Sequence, residues 1–492
     1  MNGVAQFAHL ISTLVFFPLL VSAFGAAEYG VYIIALSVTS VALIFDFGIG
    51  ASTVRLVAER LSLDDVSGFS RVVATAGALL LLVGALVALV IGGVAMAAGA
   101  LFNVTPEQAD LLRRLLFIGA AMQLWYWPTS VAAHVLNGLE RYDLAARTSL
   151  FTTLGNVGAI ALVLVSGAGP VALMLAGAVV MVASSFLNIA TLWVVRPARS
   201  LAGLPSRPVA HEIVSSGIPV FMVSVAQLLN REKVDRLVIG IAIGPTAVVI
   251  YEIAAKLSML IGQVAIVPTS ALLPVVSGAA ARGDDEALRA LFVKGSRYIT
   301  IAIVPLVVVL AAVTAPFIGM WFGEGFEGSI PVAYLLIAAQ LFFPPLLVGD
   351  PILTGTGRLR VWVPRAFFLA LTNLSLSIVL VGPLGPAGVA LATLVSSLLE
   401  LPLYAHLMLR ETGVPLRDWL RTAWPAYGLL PLPAGVGWLL VQGPLGQSFP
   451  GIGVAAATAV LIYWLAAYAL VFNQLERKRL GQRIRRLLTE RA

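Results

Sequence analysis

The sequence contains no cysteine among its 492 residues, which excludes a disulfide, a thiolate nucleophile and any Cys-based metal site. Histidine is scarce: the four present, His9, His134, His211 and His406, include no two at ligand spacing, so no metal centre is expected. A Gly-rich phosphate loop is missing, because Gly355-Thr356-Gly357-Arg358 has neither its spacing nor its Lys; ATP hydrolysis within this chain is therefore not expected. No paired-carboxylate or Ser/His/Asp constellation has supporting context, and no outer loop is large enough for a membrane-embedded sugar polymerase or ligase. The chain reads as a non-enzyme without cofactor. Charge is also scarce, at 11% of residues against 60% hydrophobic. With a mean hydropathy of +0.98, a soluble protein of this length could not bury its apolar surface, so the expected class is an all-α polytopic membrane protein.

Fourteen apolar segments are long enough to span about 30 Å of hydrocarbon. They run near 4–24, 31–51, 73–98, 115–136, 148–166, 170–195, 214–243, 246–276, 298–320, 332–354, 366–382, 387–409, 423–442 and 452–472. No Lys or Arg precedes Val4, so the first reads as a retained span and not a cleaved leader. The net charge of +7 is a question of topology before it is one of nucleic acid, and no nucleic-acid partner is expected. With the N-terminus inside, 25 of the 31 Lys and Arg fall in cytoplasmic segments and two, Arg113 and Arg114, in outer loops. That bias places both termini in the cytoplasm.

The remaining four cations, Arg231, Lys233, Arg236 and Lys256, lie inside apolar segments. Three belong to Asn230-Arg231-Glu232-Lys233-Val234-Asp235-Arg236. Were this stretch a loop, every later loop would change sides and the arginines at 282–297, 358–365 and 410–421 would face outward. The stretch is therefore expected inside one long crossing, about 25–33 Å from its start near Val214 at 1.5 Å per residue. Arg231 with Asp235 and Glu232 with Arg236 are spaced i,i+4 and can partly neutralise each other. One reading is a self-neutralised ladder at the outer interface. The other is a cationic cavity wall for an anionic headgroup, with Asn230, Arg231, Lys233 and Arg236 as substrate-binding residues. Glu252 and Lys256 form a further i,i+4 pair, and Asp46 lies at the cytoplasmic end of the second span; with Glu232 and Asp235 they are structural ion-pair members or cation-coupling groups. Asp350 and Glu400 read as single structural acids near span ends, and His134, with Gln123 and Asn137, as a packing residue.

An internal repeat organises the chain. Gly25 to Tyr32 matches Gly244 to Tyr251 at an offset of 219, Asp64-Asp65 matches Asp284-Asp285 at 220, and Leu136 to Arg141 matches Leu353 to Arg358 at 217. Asn156 matches Asn373 at 217, and Gly169-Pro170 matches Gly385-Pro386 at 216. The expected organisation is a six-helix bundle over 1–205, a second over 206–409 in parallel repeat, two added spans over 410–472 and a basic cytoplasmic tail over 473–492. The tail reads either as a membrane-surface helix or as a solvated segment that enforces topology.

Gly25-Ala26-Ala27-Glu28-Tyr29-Gly30-Val31-Tyr32 followed by Asp46-Phe47-Gly48-Ile49-Gly50 resembles the opening of bacterial O-antigen and exopolysaccharide flippases. Leu229-Asn230, Asp235-Arg236, Gly240, Gly244-Pro245 and Tyr251 resemble the start of their second half. These proteins form the polysaccharide transporter branch of the multidrug/oligosaccharidyl-lipid/polysaccharide exporter superfamily. The resemblance implies movement of an undecaprenyl-diphosphate-linked oligosaccharide from inner to outer leaflet of the bacterial inner membrane, by alternating access. It also implies membrane lipids, H⁺ or Na⁺ as coupling ion, and polysaccharide polymerase machinery as partners. Competing readings are a lipid II flippase, disfavoured by a first span without arginine, and a cation-coupled drug antiporter of the same superfamily. A scaffold of a glycan assembly complex is the reading from a different class; it would have no use for intramembrane charge.

Overall fold

The computed structural model describes residues 2–195, 203–229, 232–270, 272–472, 474 and 476–478, and the description below concerns these. They are helical throughout, with no strand. Large apolar side chains such as Leu82, Leu89, Val165, Val179 and Val194 are exposed. Such a surface suits lipid, and only helices or closed barrels satisfy their backbone there. The protein is an all-α polytopic membrane protein.

Packing divides the chain into two compact units, Met1–Val249 with Val381–Gly385, and Ile250–Leu380 with Pro386–Ala492. The first holds α1 (Asn2–Val41), α2 (Ile49–Ser62), α3 (Val66–Met96), α4 (Pro106–Gly138), α5 (Tyr142–Ser166), α6 (Pro170–Val195), α7 (Arg207–Leu229) and α8 (Glu232–Ala242). The second holds most of α9 (Pro245–Ser270), then α10 (Leu272–Ala281), α11 (Asp285–Phe322), α12 (Ser329–Gln340), α13 (Gly349–Gly355), most of α14 (Val363–Leu384) and α15 (Pro386–Thr412). It ends with α16 (Leu416–Ala423), α17 (Pro431–Gln442) and α18 (Phe449–Leu470).

Eleven helices are long and apolar enough to cross a bilayer. The difference from fourteen segments has identifiable causes. One is α1, a helical hairpin and not a rod. Gly25 takes φ 75°, ψ 155° inside it, and the rings of Phe17 and Tyr29 lie 5.6 Å apart although twelve residues separate them. A straight helix would put their Cα atoms about 18 Å apart. The expected span 4–24 and the first part of 31–51, up to Val41, therefore share one helical element. The segment expected to cross at 214–243 is divided between α7 and α8, neither of them among the eleven, with Asn230 and Arg231 outside the described residues. The crossing at 115–136 lies within α4, where Gln123, His134 and the run Trp125-Tyr126-Trp127 lower the hydropathy.

Within the first unit, α3 presents Leu80, Val83, Val87 and Ile91 at helical spacing, all buried. Gly84 brings α3 so close to α4 that a Cβ would stand 3.0 Å from the Cβ of Trp127. Small residues of this kind let helices approach in a membrane, where burial in apolar lipid supplies little drive. The start of α4 is capped by Thr105 and Gln108, whose side chains reciprocally bond each other's backbone N–H groups. In the second unit, Val309 and Val313 of α11 pack with Ile452, Ala459 and Val460 of α18, which seats the added C-terminal pair.

Some of the matched sequence stretches have like local geometry, each within its own unit. Gly138 of α4 lies against α2, where its Cβ would be 2.6 Å from Val57; Gly355 of α13 lies against α10, where its Cβ would be 2.7 Å from Val276. The Arg141 N–H donates to the Leu136 carbonyl and the Arg358 N–H to the Leu353 carbonyl. Asp65 caps α3 through the Gly68 N–H, which holds its carboxyl below the usual carboxylate range, and Asp284 caps α11 through the Ala287 N–H. The basic tail beyond residue 478 lies outside the described residues, and its start is held by Arg297, 3.0 Å from Glu476.

Gly48 is one of the tight points of the first unit. It takes φ 72° ahead of α2, and a Cβ there would stand 2.2 Å from the Gly217 carbonyl oxygen on α7. Gly48→Val combines left-handed strain with this clash and is expected to cost more than about 2 kcal/mol. A lowered thermal-unfolding midpoint of the purified protein checks this; an unchanged midpoint contradicts the packing described.

Candidate functional site

The charged stretch enters α8, whose far end is fixed by α1 and by the loop before α4. Gly240 lies against Ile34, with a Cβ position 2.9 Å from its Cδ1. The Asn103 N–H donates to the Gly240 carbonyl at 3.3 Å, and the Asn103 Nδ2 to the Ile243 carbonyl at 3.0 Å. These contacts set the rotation of α8. Asp235 shares a face with Ile239, four residues on, and both are buried, at 5% and 0% exposure. Arg236 shares a face with Gly240 and is half-buried. Asn230 and Arg231 lie outside the described residues, as do the side chains of Glu232 and Lys233, whose backbone opens α8. The expected pairs Arg231–Asp235 and Glu232–Arg236 fall there with them. Of the seven-residue stretch, the structure thus places Asp235 facing the interior of its unit and Arg236 beside it.

Glu252 and Lys256 meet on α9, with Lys256 Nζ 3.4 Å from Glu252 Oε1. Glu252 is 5% exposed, and a buried ion of this kind needs its partner.

Asp46 is placed by the Asp46-Phe47-Gly48-Ile49-Gly50 sequence. Phe47 and Gly48 both take left-handed backbone, at φ 49° and 72°, which breaks the chain between the 3₁₀ turn Ala42–Asp46 and α2. Across the break, Asp46 Oδ1 accepts from the Gly50 N–H at 3.1 Å. A carboxylate on an otherwise unpaired N–H at a helix start is stabilising. Asp46 is expected from the sequence as an ion-pair member or a cation-coupling group; the structure sets its carboxylate on a helix start, with His134 of α4 nearby. A Cβ on Gly50 would stand 2.4 Å from the His134 Cε1. Below the break α2 and α7 run together: Ser216 Oγ donates to Ser52 Oγ at 2.9 Å, and Arg60 lies 3.1 Å from Glu212. Gln123 donates to the Thr39 carbonyl at 3.1 Å and joins α4 to α1.

Two groupings escaped the sequence. Asp350 and Tyr404 are 54 positions apart, yet the Tyr404 hydroxyl donates to Asp350 Oδ1 at 2.8 Å. Glu400, one turn earlier on α15, interacts electrostatically with Asp350. Asp350 also lines a cavity of about 370 Å³ with Thr269, Thr354 and Phe343. Only the i,i+4 spacing of Glu400 and Tyr404 hinted at this; the partner comes from another helix. The second grouping is a larger cavity at the ends of α10, α13 and α15, with three arginines in its wall.

The Glu252–Lys256 pair separates a structural from a functional reading. Lys256→Met should destabilise the protein by about 3 kcal/mol or more by leaving a buried carboxylate, and Glu252→Gln with Lys256→Met should recover most of that loss. Thermal unfolding of the four proteins of the cycle reads this directly; additive effects contradict a pair.

Residues 1–279 match the family described as "Polysaccharide biosynthesis protein". The membrane protein EpsK of Bacillus subtilis strain 168, itself uncharacterised, is 24% identical over 266 residues, which cover 52% of this chain and about half of EpsK, 51%. Among solved structures, the lipid II flippase MurJ in an inward closed conformation aligns with a TM-score of 0.70 at 17% identity, covering 96% of this chain and 99% of MurJ. An inward-facing multidrug resistance transporter of the MATE family, in the MOP superfamily, aligns with a TM-score of 0.66 at 17% identity, covering 84% of this chain and 96% of its own. At such identities these likenesses establish the fold. The family match spans more than half of the chain, and the protein belongs to the polysaccharide biosynthesis protein family.

Proposed function

We propose that the protein is a flippase that moves a polyprenyl-diphosphate-linked oligosaccharide from the inner to the outer leaflet of a bacterial inner membrane, for cell-surface polysaccharide assembly. The observation that carries this reading is the charged opening of α8, Glu232 to Arg236, inside a family-defined membrane fold. Ionisable residues inside a crossing are costly and mark pathways by default. The three cations Arg231, Lys233 and Arg236 outnumber the two acids Glu232 and Asp235. A net positive wall suits a diphosphate, and the Arg fork suits phosphate oxygens in particular. In the repeat, residues 230–236 correspond to Ile11 to Phe17 of α1, which carry no charge. The cluster is therefore not a demand of the shared architecture.

A diphosphate with two negative charges moving outward gains about 2.3 kcal/mol per charge for each 100 mV of inside-negative potential. The potential alone can bias the direction of transport. Should a coupling ion also take part, the carboxylates at Asp350 and Glu400 are better placed than Asp46, whose oxygens are engaged by the start of α2. Gene products that polymerise the exported glycan are the expected neighbours in the membrane.

The test is replacement of Arg231, Lys233 and Arg236 by Ala in cells that depend on the protein for surface glycan. Export should fall by at least about tenfold, the equivalent of one lost charge-assisted hydrogen bond, while lipid-linked glycan accumulates on the inner leaflet. Wild-type export from the triple variant at equal protein level removes the role assigned to α8. A lipid II flippase would instead show as failure of peptidoglycan synthesis on depletion, and a drug antiporter as lost resistance with normal surface glycan.

A further inference from the structure

The second unit carries a cavity of about 680 Å³ where the ends of α10, α13 and α15 meet the first turns of α11. Its wall includes Arg289, Arg358 and Arg410, with Asp285 and Glu411 as the acidic members. Two of the arginines are held in place. Arg289 Nε donates to the Thr412 carbonyl at 2.9 Å, and Arg358 lies 2.9 Å from Glu411 Oε2. Each of those contacts uses one guanidinium nitrogen and leaves further donors of the fork available. Arg410 is exposed at the end of α15, next to Glu411. Counting all five charged groups, the wall has one net positive charge. The bond between Arg358 and Glu411 neutralises one cation with one acid and leaves Arg289 and Arg410 against Asp285, the same single net positive charge.

The repeat sharpens the point. Arg358 has a basic counterpart in Arg141 of the first half, but Arg289 corresponds to Ser70, which follows the capping Asp65 as Arg289 follows Asp284, and Arg410 corresponds to Val194 at the offset of 216. The helix starts and turns around the cavity follow the common plan, as Asp65 and Asp284, and Gly138 and Gly355, show. Two of its three cations do not. Topology by positive charge needs arginines somewhere in these loops; it does not need them converging on one cavity in one half only.

We propose that the Arg289–Arg358–Arg410 cavity binds a phosphate-bearing anion on the face of the membrane that the charge bias marks as cytoplasmic. The volume lies in the range of about 300–1,000 Å³ usual for small-molecule sites and exceeds what an isolated phosphate fills. The ligand class is therefore an organic phosphate, with its phosphate on the arginine forks and its remainder along Ala280, Ala281 and Thr356. Two sources offer that chemistry: the headgroup of an anionic phospholipid in the adjacent leaflet, and a soluble nucleotide. The site shares no residue with the charged stretch of α8 and does not depend on the transport reading.

The test uses the full chain in phosphatidylcholine nanodiscs. In one arm ADP is titrated and binding is read by microscale thermophoresis. In the other, phosphatidylglycerol is supplied and its retention is read by native mass spectrometry. The variants are Arg410→Gln, Arg410→Lys and Arg358→Gln; Arg410 is exposed, so its replacement is not expected to shift the unfolding midpoint, which is measured as a control. Saturable binding in either arm that falls about tenfold or more in Arg410→Gln and returns in Arg410→Lys supports the site and names its source. Binding that is absent in both arms, or that is unchanged in Arg410→Gln and Arg358→Gln, overturns it.

Discussion

The structure depends first on the cost of charge and of unpaired backbone in hydrocarbon. Helices are forced by that cost, because lipid supplies no hydrogen bonds to the main chain. The placement of cations is forced by it as well, so that a chain with only 11% charged residues concentrates them at segment ends, at helix starts and in a few interior positions. Where an ion is buried, a partner accompanies it, as Lys256 accompanies Glu252. Packing then follows from small residues and not from burial alone. Gly84 against Trp127 and Gly48 against Gly217 are points where backbones or side chains come closer than any larger residue would permit.

Much of this was legible in the sequence because each signal has a single physical origin. Apolar length gave the helical membrane class. The constant offset of the repeat gave pairs of turns whose hydrogen bonds coincide in kind, as Arg141 with Leu136 and Arg358 with Leu353 do. The four residues Thr105-Pro106-Glu107-Gln108 carry the spacing of a capping box, and the structure forms one there. The fold-back of α1 at Gly25 falls between the segments 4–24 and 31–51 that the sequence separates, and the ring contact of Phe17 with Tyr29 shows the chain doubling there. What the sequence could not do is bring Asp350 to Tyr404 or gather Arg289, Arg358 and Arg410, since those groupings are made by tertiary contacts between segments tens of residues apart.

The residues singled out as ionisable differ in what their surroundings allow. Asp46 is absorbed by the start of α2, and its place in an Asp-Phe-Gly-Ile-Gly sequence is explained by the backbone break that follows it. Asp235 is turned toward the interior of its unit by the same face that buries Ile239, while Arg236 lies on the side of Gly240. Family membership supplies the glycan context, and the charge supplies the reason an anionic lipid-linked substrate is the one proposed.

The central claim is that this protein carries an anionic lipid-linked glycan across the bilayer. It is tested most directly by transbilayer transfer in proteoliposomes. The purified protein is reconstituted with a fluorescent polyprenyl-diphosphate oligosaccharide, and its movement to the far leaflet is followed under an imposed potential. The account predicts transfer well above protein-free vesicles, faster when the receiving side is positive. Transfer no faster than in protein-free vesicles, at every potential, would contradict it.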